Sequence, residues 1–416
     1  MNIGRPEKIV VLGMMTKMPV AGVVWQTAHY LVGLRRLGYE VYYVEAHART
    51  PSMFMEREDD DGSGRAAAFI DAVMRRFGFS GRWAYHALHD EGRCYGMSDS
   101  ALRALYGSAS LLINLHGGTM PLPEHYETAR LVYLETDPVQ LQIELYENNP
   151  ETIAFLEPHC AFFTFGENYG NADCGLPVSD RFEFKPTRQP VVMDFWDHEA
   201  NHEPDATSPA KQAEAFTTIG NWQQPWREVV FAGQTYSWSK HHEFLKVIDL
   251  PTRVRSQALE LALSSYAPAD AVMLRSHGWK VRHALDFSMD LDAYRQYVAG
   301  SRGEFTVAKD QNVRLRSGWF SDRSATYLAA GRPVITQDTG FGNVLPTGEG
   351  LFAFATPEEA AAAVEAVNAD YPRHRRSASA VAREYFGHDV VLGRLLRDVG
   401  LSVPTRHAPA QAAHRA

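Results

Sequence analysis

The sequence predicts an α/β protein of two similar domains, each built on a parallel sheet. Continuous apolar runs such as Lys8–Met15 and Ser110–Gly118 are typical of strands that are buried on both faces. Between them, Val23–Gly38 has apolar residues at helical spacing and ends in glycine, as many helices do. With the strand-like run Tyr39–Ala46, these segments form the βαβ unit of a doubly wound sheet.

Two further strands, Arg130–Pro138 and Cys160–Asn168, are predicted in the first half of the chain. The segment 196–215 is polar, contains prolines and has no periodicity, which favours a linker. We therefore expect an N-terminal domain at 1–205, a C-terminal domain at 206–388, a C-terminal helix at 389–402 that packs back on the N-terminal domain, and a disordered tail at 403–416.

The second half repeats the α/β pattern. It begins with a strand at Phe216–Trp222, and we expect a helix over Arg255–Ser265 and a strand over Ala271–Ser276. The run from Thr356 onward starts with a capping threonine and acidic residues, which indicates a helix. Two α/β domains joined by one linker favour a ligand between them.

Composition excludes several classes of protein. The chain has 416 residues, 45% of them apolar, and a formal net charge of −9, which argues against a general nucleic-acid-binding surface. Its three cysteines, Cys94, Cys160 and Cys174, are odd in number and widely spaced, so we expect neither disulfides nor a zinc cluster. No signal peptide or membrane-spanning run is recognisable, and we expect a cytoplasmic protein.

The stretch Ser317–Gly342 carries the clearest chemistry. Ser321 or Asp322 is placed to cap a helix whose free N–H groups would attract a phosphate, and Arg323 and Ser324 add donors at the same end. An ordinary helix–strand hairpin with a capping serine is the structural alternative.

A short strand follows and ends in a polar loop. There Gln337, Asp338 and Thr339 can bond hydroxyl groups, and Gly340 lets the backbone approach a ligand closely. Both polar clusters are expected to face the same crevice, because ligands bind beyond the carboxyl ends of parallel strands.

The pattern "AxYLAAGRPVI", followed by "TQDTGFG" and "PTGEGLFAFATPEEAAAAV", resembles the C-terminal domain of GT-B glycosyltransferases. The resemblance implies two Rossmann-like domains that face each other across a cleft. It also implies a nucleotide-sugar donor in the C-terminal domain, an acceptor in the N-terminal domain, and no requirement for a metal or cofactor. The favoured interpretation is that the donor is a UDP-sugar and that the transferred group is a hexose.

Carried over to this sequence, the resemblance places Ser321–Ser324 on the diphosphate and Gln337 and Asp338 near the sugar. The segment 220–244 is similar to the family's glycine-rich strand end, which points to Gly220 and Lys240, with Tyr236 nearby. Lys240 is alternatively a solvated lysine before a helix.

One departure from the family concerns the mechanism. Many retaining members have two glutamates where this chain has Gly318 and Thr326. The histidine and glutamate that the plant relatives have there are also absent from these positions. The stereochemical outcome is therefore open.

His116 and Asp137 are the candidates for a catalytic base, because each follows a predicted buried strand. His116 is alternatively a ligand of the donor sugar, and Asp137, before Pro138, is alternatively a turn residue. Gly22, Trp25 and His29 are candidates for the acceptor side, although Trp25 and His29 would equally suit a core.

The function that these observations favour is metal-independent transfer of a sugar from a nucleotide diphosphate to an acceptor hydroxyl. A sugar-nucleotide epimerase, a phosphorylase and a non-catalytic nucleotide-sugar-binding protein are alternatives on the same fold. The acceptor is not specified by the sequence; a small molecule or glycan is favoured over a nucleic acid because the chain is acidic.

Overall fold

The computed structural model of the protein describes residues 6–57, 59–127, 129–197, 215–224 and 227–402. The predicted domain boundary at 205/206 and the predicted tail at 403–416 lie outside these ranges. Within the described part of the chain, no helix combines the length and the apolar character that crossing a bilayer requires.

The N-terminal domain contains an eight-stranded sheet in the order β4-β3-β2-β1-β5-β6-β7-β8. All neighbouring strands are parallel except the hairpin of β3 and β4. The strands are β1 (Lys8–Leu12), β2 (Glu40–His47), β3 (Trp83–Ala87), β4 (Arg93–Tyr95), β5 (Leu111–Leu115), β6 (Arg130–Glu135), β7 (Ala161–Thr164) and β8 (Phe184–Pro186).

Helices cover both faces of this sheet, and its central strands are accordingly rich in apolar residues. They are α1 (Ala21–Arg36), α2 (Gly62–Arg76), α3 (Asp99–Ser108), α4 (Pro123–Tyr126), α5 (Gln140–Tyr146) and α6 (Pro150–Leu156). Asn149 caps α6 by accepting bonds from two backbone N–H groups of its first turn.

The C-terminal domain has a six-stranded parallel sheet in the order β13-β12-β9-β14-β15-β16 and a separate hairpin of β10 and β11. The strands are β9 (Ala215–Asn221), β10 (Val229–Phe231), β11 (Gln234–Tyr236), β12 (Ala258–Ser264), β13 (Lys280–His283), β14 (Gly303–Thr306), β15 (Val334–Gln337) and β16 (Leu351–Phe354). Each domain is thus Rossmann-like, with strand order reversing beside its first strand.

Helices also surround the second sheet. They are α7 (His241–Lys246), α8 (Leu250–Arg253), α9 (Pro268–Ser276), α10 (Leu285–Ser288), α11 (Leu291–Gly300), α12 (Asp310–Arg314), α13 (Asp322–Ala329), α14 (Pro357–Ala369) and α15 (Tyr371–Val381). The last helix, α16 (His388–Asp398), lies away from this sheet. Thr356 and Glu359 form a capping box at the start of α14.

Two sequence predictions in this domain were wrong. The segment 255–265, predicted as a helix, contains strand β12, and 271–276, predicted as a strand, lies in helix α9. The first segment is rich in leucine and alanine, which are good helix formers, but it pairs on both sides with β9 and β13, and this tertiary context overrides propensity. Pro268 at the first turn of α9 starts the helix that the short apolar run concealed.

The end of the chain returns to the N-terminal domain. After a π-helical turn at Ala382–Phe386, α16 lies against α1, where a Cβ on Gly33 would stand 2.6 Å from Leu392 Cδ1. The Arg130 Nη1–H also donates to the Val399 carbonyl at 2.7 Å. The two domains are therefore connected by a second chain segment besides the one between 197 and 215.

Candidate functional site

A cavity of about 460 Å³ lies between the domains, at the carboxyl ends of both sheets. Its walls come from the loops after β1 and β5 in one domain and after β9 and β14 in the other, where each strand order reverses. Crevices of this kind are the usual ligand sites of open α/β sheets. The lining residues are Met14, Met18, Val23, Gln26, His116, Tyr133, Thr136, Asp137, Gly220, Asn221, Gln224, Arg227, Trp238, Lys240, Lys309, Trp319, Ser321, Asp322 and Arg323.

Two lysines of the C-terminal domain contribute positive charge to the cavity, beside Arg227 and Arg323. Lys309 follows β14; its Nζ lies 2.6 Å from Asp137 Oδ1 and 3.2 Å from the centroid of the Trp238 ring. Burial lowers the pKa of Lys309, and Asp137 opposes that shift. Lys240 stands at the N-cap position of α7, and its Nζ has no hydrogen-bond or ion-pair partner among the described residues.

The environment of Lys240 disfavours its charged form. Burial and, secondarily, the nearby Arg323 lower its pKa well below the usual lysine range. A bound anion would relieve both effects, because opposite charge stabilises a buried ammonium group. Lys240 is therefore suited to receive an anionic ligand rather than to serve as a solvated surface lysine.

Arg323 lines the cavity, but most of its N–H groups already donate hydrogen bonds to other residues of the protein. Its Nε donates to Glu304 Oε1 at 2.6 Å, Nη2 donates to Thr306 Oγ1 at 3.1 Å, and Nη1 donates to the Ile219 carbonyl. Burial disfavours the charge, yet the buried Glu304 carboxylate raises the Arg323 pKa overall. The side chain joins β9, β14 and α13 at the edge of the cavity.

The N-terminus of α13 points into the cavity. Ser321 occupies the N-cap position without a side-chain capping bond, and Asp322 begins the helix. The Asp322 carboxylate accepts bonds from the Asp322 and Arg323 backbone N–H groups, so it competes with any phosphate for those donors. Ser324, predicted to bind the diphosphate, is fully buried and does not line the cavity.

His116 faces the cavity from the other domain. Its backbone adopts φ +65°, an uncommon conformation for a non-glycine residue, directly after β5. Nδ1 lies 2.7 Å from Thr136 Oγ1, and Nε2 is buried without a partner among the described residues. Burial lowers the His116 pKa to about 4, so the ring is neutral near pH 7.

Asp137 sits on a strained loop. Two residues later, the buried Val139 has φ +111°, which is unfavourable for a β-branched residue. The loop is nevertheless held across the cleft, because Trp319 Nε1 donates to the Thr136 carbonyl at 3.1 Å and Lys309 pairs with Asp137. Such strain in a segment that is fixed from both sides is typical of a functional loop.

A buried carboxyl group, Glu135, lies at the end of β6, two residues before Asp137. It accepts hydrogen bonds from the Tyr169 hydroxyl at 3.1 Å and from Thr164 Oγ1, whereas its Oε1 has no partner among the described residues. Burial raises the Glu135 pKa to about 8, and the two hydrogen bonds only partly oppose this. Glu135 is therefore largely protonated at neutral pH.

This raised pKa predicts a pH dependence of stability. The folded state holds the Glu135 proton between its unfolded pKa of about 4.5 and its folded pKa of about 8. The stabilisation of the folded state by this proton is fully present below the unfolded pKa and is lost as the pH rises through the folded pKa. Relative to the wild type, Glu135→Gln should gain about 1–3 kcal/mol in unfolding free energy between pH 5 and pH 9. Urea unfolding at both pH values measures this; exposed Glu183→Gln is the control, and parallel pH curves for Glu135→Gln and wild type would contradict it.

The four residues that were predicted to contact the sugar from the β15 loop do not line the cavity. Gln337 is buried and donates to Glu243 Oε2 at 2.5 Å, which holds the end of β15 against α7. Thr339 Oγ1 donates to the Trp319 carbonyl at 2.6 Å, and Asp338 accepts from Arg316 Nη1 at 2.8 Å. These side chains stabilise the loops beside the cavity.

Gly340 and Gly318 lie where the domains touch directly. Both have positive φ, +91° and +82°, and both pack on Asn168 of the N-terminal domain. A Cβ on Gly318 would stand 2.2 Å from the Asn168 backbone nitrogen. At Gly318, the position of the family's first glutamate, the contact between the domains leaves no room for a side chain. At the position of the second glutamate, Thr326 Oγ1 donates to the Arg323 carbonyl at 2.6 Å.

The remaining predicted ligands also lie outside the cavity. Tyr236 packs in an apolar cluster that joins the domains, with Arg314 4.2 Å from its ring centroid. Gly22 faces Tyr294 of α11, and Trp25 Nε1 donates to the Leu291 carbonyl at 3.1 Å. His29 is fully buried against Trp196; burial lowers its pKa to about 3. Trp25 and His29 therefore belong to the hydrophobic core, which was the alternative to an acceptor site.

Of the predicted residues, the structure brings seven into one cavity: His116, Asp137, Gly220, Lys240, Ser321, Asp322 and Arg323. Sequence reasoning missed Lys309, Arg227, Trp238 and Trp319. Lys309 was recognisable, since it closes the run "GEFTVAK" after a predicted strand. The other three lie in loops without a periodic signal.

The fold is the GT-B fold of solved glycosyltransferases. HepE of Anabaena, solved in complex with UDP-glucose, superimposes with a TM-score of 0.54 at 11% identity over 94% of this chain and 99% of that one. An α-glucosyltransferase solved with UDP and a mismatched DNA 13-mer gives 0.54 at 10% identity over 95% and 99%. No protein-family profile matches the sequence, and no curated protein matches it.

Proposed function

We propose that the protein is a glycosyltransferase that moves a hexosyl group from a nucleotide diphosphate, preferably UDP, to an acceptor hydroxyl without a metal or other cofactor. The observation that carries the proposal is the pair of partly buried lysines, Lys240 and Lys309, beside the N-terminus of α13 in an interdomain cavity. UDP and UDP-glucose in the structurally similar proteins support a nucleotide-sugar donor.

The leaving group determines what the C-terminal domain must supply. When the bond between the anomeric carbon and the diphosphate breaks, negative charge accumulates on the phosphate oxygens. Lys240 and Lys309 neutralise that charge, and the first-turn N–H groups of α13 add dipoles of the same sign. Arg323 has a positioning role here, because Glu304 and Thr306 hold its guanidinium.

Binding of the donor also changes the other domain. Lys309 pairs with Asp137 across the cleft, and a diphosphate competes for the same ammonium group. The bound donor therefore weakens the ion pair between Lys309 and Asp137. The site is complete only when the donor is bound, so donor binding is coupled to assembly of the catalytic groups.

His116 is the proposed base for an inverting reaction. With its Nδ1–H donated to Thr136, Nε2 carries the lone pair that takes the proton; Nε2 is buried beside the cavity, so a small movement of the ring or its loop must bring it to the acceptor hydroxyl. The acceptor oxygen forms a bond to the anomeric carbon, the diphosphate leaves with the electron pair of the broken bond, and the acceptor proton passes to Nε2. Negative charge on the bound donor raises the His116 pKa from its low value toward neutrality.

The acceptor side is more apolar than the donor side. Met14, Met18 and Val23 line it, together with Gln26 and Tyr133. These side chains suit a small molecule or glycan that has an apolar face and a reactive hydroxyl, and the net charge of −9 disfavours a nucleic acid.

The test is to incubate the protein with UDP-, GDP-, ADP- and dTDP-sugars and to measure thermal shifts and release of free nucleotide. We expect UDP-sugars to raise Tm and a mixture of acceptors to stimulate UDP release in the presence of EDTA. The anomeric proton spectrum of the product should show inversion. Binding without turnover under any acceptor would favour a binding protein, and failure of every nucleotide sugar to bind would overturn the proposal.

A further inference from the structure

A second cluster of chemically active side chains lies at the opposite edge of the N-terminal sheet, on the β3–β4 hairpin. His86 and Cys94 are directly paired across the two strands, so their side chains emerge on the same face. Helix α3 begins at Asp99 over that face. A ring nitrogen of His86, Cys94 Sγ and a carboxylate oxygen of Asp99 all lie within 4.8 Å of one another.

The state of His86 distinguishes this cluster from a chance contact of polar residues. His86 is 5% exposed, and its Nδ1 is buried without a hydrogen-bond partner among the described residues. An unsatisfied buried nitrogen costs free energy, since it has lost water and gained nothing in return.

We propose that His86, Cys94 and Asp99 bind a Zn²⁺ ion. Imidazole nitrogen, thiolate sulfur and carboxylate oxygen are the ligand types of tetrahedral zinc sites. Zinc bonds of about 2.0–2.3 Å place neighbouring ligand atoms about 3.5 Å apart, so the cluster needs to contract only slightly. Water fills the fourth position, and the Cys94 thiol releases its proton to solvent when the sulfur–zinc bond forms.

The site is independent of the sugar-transfer proposal, because none of its residues lines the interdomain cavity. Its effect is structural: the ion links the edge hairpin to the start of α3. Asp99 must exchange its present partner, Arg103 Nε at 2.9 Å, for the metal, and the cluster supplies the second negative charge, the Cys94 thiolate, that offsets the ion.

Co²⁺ and Zn²⁺ titration of the full-length protein, reduced and stripped with chelator, tests the proposal. We expect one equivalent of Co²⁺ to bind with a thiolate-to-metal absorption band in the near ultraviolet, displacement of Co²⁺ by Zn²⁺, and a higher Tm with Zn²⁺. Cys94→Ser and Asp99→Asn should each weaken binding at least tenfold, and Cys94→Ser should abolish the band. Cys160→Ser and Cys174→Ser, which change the other two thiols, are the matched controls and should bind normally.

His86→Gln completes the set, but the residue is buried, so its circular dichroism spectrum must first show a folded protein. Cys94→Ser is the deciding variant because Cys94 is only partly buried and serine is nearly isosteric. No saturable binding to the wild type, or a band that survives in Cys94→Ser, would overturn the proposal.

Discussion

Lys309→Met is expected to lower kcat/KM for the nucleotide sugar by about 10²–10³-fold, the usual cost of removing one preorganised group that stabilises developing negative charge. The expectation follows from the position of Lys309 after β14, at the strand-order reversal, where its Nζ meets Asp137 at 2.6 Å across the cleft. Methionine keeps much of the side-chain length and apolar contact with Trp238 but removes the charge. Steady-state kinetics and UDP titration measure the effect, and the dissociation constant of UDP should rise at least tenfold.

A matched control separates loss of charge at the site from a general effect of losing a lysine. Lys280 lies on β13 of the same domain and is exposed, so Lys280→Met should leave kcat/KM unchanged. The Tm of Lys309→Met should stay within a few degrees of the wild type, because its ion pair joins loops and not the core. Equal activity of the two variants would remove Lys309 from the donor site.

Gly318→Ala should reduce the free energy of unfolding by about 2–4 kcal/mol, because it adds a backbone penalty to a steric conflict. Gly318 has φ +82°, and its new Cβ would lie 2.2 Å from the Asn168 nitrogen and 2.7 Å from Asn168 Cβ. Neither atom is the end of a flexible side chain, so the domains must move apart. Urea unfolding followed by tryptophan fluorescence measures the loss, and small-angle scattering should show a larger radius of gyration.

The hairpin of β10 and β11 offers the matching control. Gly233 has φ +73°, but a Cβ there would meet nothing within 4 Å, so Gly233→Ala reports the backbone penalty alone. It should cost about 1 kcal/mol and leave the radius of gyration unchanged. If Gly318→Ala were no worse than Gly233→Ala, direct packing of the domains at Asn168 would be the wrong explanation.

Strand ends were the most reliable guide to the cavity. His116 and Asp137 are predicted because each follows an apolar run, and both line it; Gly220, which the family resemblance points to, also lines it. This works because the carboxyl ends of parallel strands converge on one edge, whatever the side chains there do. Applied equally to β14, the same rule would have found Lys309.

The loop after β15 shows where sequence reasoning stopped. Gln337 and Asp338 are polar and follow a strand, yet both bond to residues of their own surroundings, Glu243 and Arg316. Polarity at a strand end indicates hydrogen bonding but not its partner, and a one-dimensional pattern does not show that the other domain's Asn168 fills the adjacent space. Sequence patterns describe each domain separately and therefore do not predict the contacts between the two domains.

The return of the chain to the N-terminal domain through α16 limits how the cleft can open. The chain crosses back at Ala382–Phe386, and the α16 that follows packs on α1, where a Cβ on Gly33 would stand 2.6 Å from Leu392 Cδ1. If α16 stays on α1 while the cleft opens for ligand exchange, the chain must bend at this π-helical turn. Removing α16 would release the C-terminal domain from that constraint.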